Sequence, residues 1–160
     1  MTRDQESPSS PRLVLLGVGN ELLQDEGVGV HIVRRLRAEG LPPGVEAVEA
    51  GTAVLDALDL LPTGARVLVV DAASGEVEPG TVYRFGLDDL SADRGASVHE
   101  ASLPEVFGVA RLAGVVLGDV TVLGVKPAVV DLGTELSPPL EGKMPAILRA
   151  VRLEIARLLG

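Results

Sequence analysis

The sequence predicts an α/β fold, a mostly parallel sheet with helices on both faces. Three observations carry that prediction: short runs of aliphatic residues, amphipathic stretches between them, and a scarcity of aromatic rings. Of the 160 residues 46% are hydrophobic but only 2% aromatic, so the core must be built from Val, Leu, Ala and Ile. Branched aliphatics favour buried parallel strands. A chain of this length buries roughly 70% of its unfolded surface, so one core suffices.

Residues 1–11, MTRDQESPSSP, mix charge, Ser and Pro without apolar periodicity and are read as a flexible leader. Residues 12–160 are read as a single α/β domain. Apolar runs place strands at 13–18, 45–48, 67–70 and 120–125. Between the first two, Val28, Ile32 and Leu36 recur at helical spacing while Arg34, Arg35 and Arg37 point elsewhere, which predicts an amphipathic helix over 26–36. A second helix follows Thr52, with Val54, Leu55, Leu58 and Leu61 on one side, and a third spans 103–112. The last carries Met144, Ile147, Leu148, Val151, Ile155, Leu158 and Leu159 at three- and four-residue intervals, with Ser137 as cap and Pro138 at its first position. Residues 80–86, GTVYRFG, follow a Pro-Gly turn and predict one antiparallel edge strand. Strand and helix alternating in this way imply right-handed crossovers, and ligands in such sheets sit at the carboxyl ends of the strands.

Composition removes several classes of function. The chain has no Cys, which excludes disulfides, thiolate metal sites and a cysteine nucleophile and suits a reducing cytoplasm. A net charge of -9 argues against nucleic acid, whose binding draws on clustered Lys and Arg. No segment reads as a signal peptide, and no apolar run reaches the roughly 18 residues of a membrane span.

Three segments leave strand ends with polar residues: GVGNELLQDEG after the first strand, Asp71 at the end of the third, and ASVHEAS before the third helix. Glu26, Asp71 and His99 would together offer two carboxylates and one imidazole, a set suited to nickel, zinc or manganese. Each residue also has a plainer explanation. Acidic groups favour helix N-termini, and a lone histidine is usually a surface or satisfied core residue. Asp71 is harder to explain away, because burying an unpaired carboxylate is costly. His31 lies within the first helix beside Arg34 and Arg35 and is assigned to its surface.

Familiar hydrolytic patterns fail. His99-Glu100-Ala101-Ser102-Leu103 starts like the zinc-peptidase HExxH motif but has Leu where the second histidine belongs. There is no G-x-S-x-G elbow, and two histidines leave little material for a serine triad. Gly17-Val18-Gly19 opens like a dinucleotide fingerprint, yet Leu22 replaces the next glycine, and Asp25 and Glu26 would repel a pyrophosphate.

Taken together, Leu16-GVGNELLQDEGVGV-His31, Ala50-Gly51-Thr52, VLVVDA ending at Ala72, Ser97-Val98-His99, and LGVKP followed by Leu136-Ser137-Pro138 resemble the nickel-iron hydrogenase maturation endopeptidases. These words run in the family's order across residues 12–160. The resemblance implies a three-layer α/β/α sandwich, with Glu26, Asp71 and His99 as metal contacts. It further implies removal of a short C-terminal peptide from the precursor of the hydrogenase large subunit, on the carboxyl side of a basic residue. The nickel would be carried by that precursor, and the enzyme would read it before cutting. Asp25 and Glu100 are candidate proton carriers, and Asn20, Gly51 and Thr52 are weaker site candidates. Two other readings stay open: a nickel-binding maturation chaperone using the same ligands, and a peptidase of similar fold acting on an unrelated protein.

Overall fold

A computed structural model of the chain describes residues 11–87 and 103–160. Five strands, β1 (Leu13–Val18), β2 (Val45–Gly51), β3 (Ala65–Ala72), β4 (Val82–Gly86) and β5 (Leu117–Val125), form one sheet in the order β2-β1-β3-β5-β4. β2, β1, β3 and β5 are parallel, and β4 closes one edge antiparallel to β5. The helices are α1 (Val28–Glu39), α2 (Val54–Asp59), α3 (Leu103–Leu112) and α4 (Pro138–Leu159).

Side chains alternate across a strand, and the aliphatic runs consequently feed two cores. Leu13, Leu15, Leu68, Val70 and Val125 pack with Ile32 and Leu36 of α1 and with Met144, Ile147, Val151 and Ile155 of α4. On the opposite face Leu16, Val18, Val67, Val69 and Val122 pack with Val54 and Leu58 of α2 and Phe107 of α3. This is the three-layer α/β/α sandwich with one antiparallel edge strand that the sequence led us to expect. Among the described residues, no helix is long and apolar enough to cross a membrane.

The departures are local. The first helix starts at Val28, because Gln24–Gly27 form a 3-10 turn entered through Gln24 at φ 49°, an unusual conformation for a residue with a side chain. In α2 the buried stripe is Val54, Ala57 and Leu58, which leaves Leu55 exposed rather than inward. Ser137 does sit at the N-cap of α4, yet its hydroxyl makes no cap bond and is used elsewhere.

Candidate active site

β1 connects outward to β2 on one side, while β3 pairs on its other side, so strand order reverses between β1 and β3. Open α/β sheets bind ligands above such a point. Two glycines press the chain leaving β1 against it. Gly19 has φ 137°, and a Cβ there would lie 2.0 Å from the carbonyl oxygen of Glu26. A Cβ at Gly29 would lie 2.2 Å from the carbonyl of Val70 and 2.4 Å from that of Val18. The 3-10 turn bearing Glu26 is thus seated on the ends of β1 and β3, where Gly17 pairs with Val70 and Asp71 is the next residue. Glu26 and Asp71 are both buried, at 1% and 2% exposure. Removing two carboxylates from water in this one part of the sheet is a cost that packing alone does not call for.

His99 and Glu100 lie outside the described residues. Among the described residues no three metal-ligating side chains converge.

Asp25, the neighbour of Glu26, is fully buried and has another kind of surrounding. Its carboxylate accepts hydrogen bonds from the backbone N–H groups of Ala128 (2.9 Å), Val129 (2.8 Å) and Ser137 (2.7 Å) and from the Ser137 hydroxyl (2.6 Å). Around it the Gln24 N–H donates to the Gly133 carbonyl and the Gly133 N–H to that of Leu22. The loop after β1 is thereby sewn to the segment before α4. Nothing periodic in the sequence signals this junction; the acidic residue and the serine at the N-cap position of α4 are its trace. Each buried donor deprived of its acceptor costs about 1–3 kcal/mol, partly recovered through water, so Asp25→Ala is expected to lower stability by roughly 3–5 kcal/mol in chemical denaturation.

Asn20 shapes the same loop, its side-chain oxygen accepting from the Leu22 N–H at 3.0 Å. With Gly19, Gly51, Thr52 and Glu49 it lines a cavity of about 430 Å³ over the ends of β1 and β2. The weaker candidates Asn20, Gly51 and Thr52 therefore line the same cavity.

His31 is half-buried rather than on an open helix surface. Burial first, and then the charges of Arg35 and Arg34, lower its pKa, opposed by a backbone hydrogen bond at Thr134 and by Glu21; Glu141 also faces it. A folded-state value below the unfolded 6.5 means that the unfolded chain binds the proton more readily. The contribution of His31 is intact above pH 6.5 and is lost as the pH falls towards the folded value. His31→Gln should accordingly show a shallower drop in melting temperature between pH 7 and pH 5 than the parent chain.

Fold and site together define an open-sheet α/β protein in which buried acids occupy the place that nucleotide-binding relatives of this architecture give to a phosphate cradle. Residues 30–153 match the family model described as hydrogenase maturation protease. The hydrogenase expression/formation protein HupD of Rhodobacter capsulatus is 35% identical over 147 residues, covering 88% of this chain and 70% of its own. The hydrogenase 2 maturation protease of Escherichia coli is 31% identical, with 88% of each chain covered. The structure of the hydrogenase maturating endopeptidase HybD from E. coli superposes with a TM-score of 0.75 at 28% identity, over 91% of this chain and 93% of that one. The chain belongs to the hydrogenase maturation protease family. It is a peptidase, and the chaperone reading gives way.

Proposed function

We propose that this peptidase removes a short C-terminal peptide from the nickel-loaded precursor of a nickel-iron hydrogenase large subunit, with Glu26, Asp71 and His99 completing the shell of the precursor's nickel. The observation that carries the reading is the burial of Glu26 and Asp71 where strand order reverses. Two carboxylates withdrawn from water suit a divalent cation, and an imidazole adds a ligand that nickel accepts well.

Held at this point, the ion fixes the peptide bond beside it, and positioning of that kind contributes several kcal/mol to catalysis. Asp25 holds the turn that presents Glu26 and acts as a positioning residue, since both of its oxygens are already engaged by protein donors. Glu100, next to His99, is assigned the proton-carrying role. The cavity lined by Asn20, Gly51 and Thr52 lies beside the turn and receives the polypeptide around the cut.

Incubation with candidate precursors, with and without nickel, followed by product mass determination tests the proposal. Nickel-dependent loss of a C-terminal fragment is expected. Equal cleavage of metal-free precursor would refute recognition through the ion.

A further inference from the structure

Beyond the site, a second hollow of about 480 Å³ runs between edge strand β2 and helix α2. It shares Glu49, Ala50 and Ala53 with the cavity over the ends of β1 and β2, so the two hollows adjoin along β2. Val48, Ala50 and Ala57 lie along it, and Leu60 stands at its rim with 84% of its surface exposed. Glu46 on the strand and Asp56 on the helix line it as well, both exposed.

The charge is one-sided. No Lys or Arg is found among the described residues lining either hollow. Glu49 is matched from α1 by Arg34 at 2.6 Å and Arg37 at 2.8 Å. Glu46 and Asp56, among the described residues, have no such partner. An apolar floor between unmatched acids fits an extended polypeptide, whose side chains alternate between two directions. Such a guest would rest apolar side chains on Val48 and Ala57 and bring cationic ones to Glu46 and Asp56, which lie on the same face of the hollow. β2 has seven residues, about 20 Å of strand, enough to run beside five or six residues of guest chain.

We propose that the groove between β2 and α2 seats a basic, extended stretch of the substrate polypeptide adjoining the bond that is cut. The inference rests on the processing reading above and adds to it a docking surface outside the metal-reading site. Both acids are exposed, so the double variant E46K/D56K is expected to fold as the parent does.

Two measurements on the full chain test the proposal. Precursor processing by E46K/D56K should show KM raised roughly tenfold at low ionic strength with kcat kept, the difference shrinking as salt is added. A short fluorescein-labelled peptide alternating Lys and Val should bind the parent chain about tenfold more tightly than it binds the variant, and its Lys→Gln version should bind neither. An unchanged KM, or equal affinity for the Lys and Gln peptides, would overturn the groove assignment. A parent chain that binds the Lys peptide through Glu46 and Asp56 yet leaves every precursor uncut would sink the processing reading and keep the groove.

Discussion

Glu26→Gln and Asp71→Asn are each expected to lower the rate of processing of nickel-loaded precursor on the order of a hundredfold to a thousandfold, with His99→Ala losing at least as much. The amide versions keep volume and shape but remove the charge that, in the proposed reading, draws a divalent ion into a buried place, where screening by water is weak. Once one ligand fails, the ion and the peptide bond beside it shift, and a displacement of about 1 Å is enough to cost two orders of magnitude. The contrast with Asp25 makes the test sharp. Asp25 accepts four protein donors, so its replacement should be felt mainly in unfolding. Variants at Glu26 and Asp71 should be felt mainly in product formation, with a smaller loss of melting temperature. If Glu26→Gln and Asp71→Asn both process precursor at the parent rate, these carboxylates do not read the metal.

The second large effect is expected at Gly29. An added methyl would sit 2.2 Å from one main-chain oxygen and 2.4 Å from another, on two different strands. Real Cβ atoms do not approach main-chain oxygens so closely, and neither strand can retreat without breaking the pairing of β1 with β3. The helix would have to lift instead, uncovering Val28, Ile32 and Val33, all now buried. Overpacking in a well-filled interior costs about 1–3 kcal/mol and occasionally more; with rigid backbone on both sides, Gly29→Ala belongs at the upper end or beyond. Denaturant titration should show at least about 3 kcal/mol of lost stability, and a shift under 1 kcal/mol would contradict the close approach. By contrast, Gly142 on α4 has nothing within 4 Å of such a methyl, so Gly142→Ala serves as the control.

Much of the architecture was legible because it is written in local periodicity. β1 and α3 have the bounds the apolar pattern gives, and GTVYRFG does pair antiparallel at an edge. These features depend on which neighbours along the chain are apolar, and the sequence displays that directly. What stayed hidden depends on partners far away. An acid in the first turn of a helical pattern looks like a dipole partner, so Asp25 read as helix-end charge or proton carrier. Its four donors lie 103 to 112 residues along the chain. Ser137 read as a cap for the same reason, whereas its hydroxyl donates to that acid. Leu55 misled because it is as apolar as its neighbours, and only a tight count along a six-residue helix puts it outside the stripe. For the candidate site, the resemblance, more than spacing, singled out Glu26 and Asp71, and the structure adds that both are buried.

The junction between Asp25 and Ser137 also sets a schedule for synthesis. The turn carrying Glu26 leaves the ribosome early, but the donors that fix it belong to the stretch just before the final helix. Contacts so distant along the chain form late, since a long loop must close first. In a nascent or C-terminally truncated chain the turn therefore lacks these donors even when the first strands have already paired. The turn is fixed only when the chain's own last segment is in place.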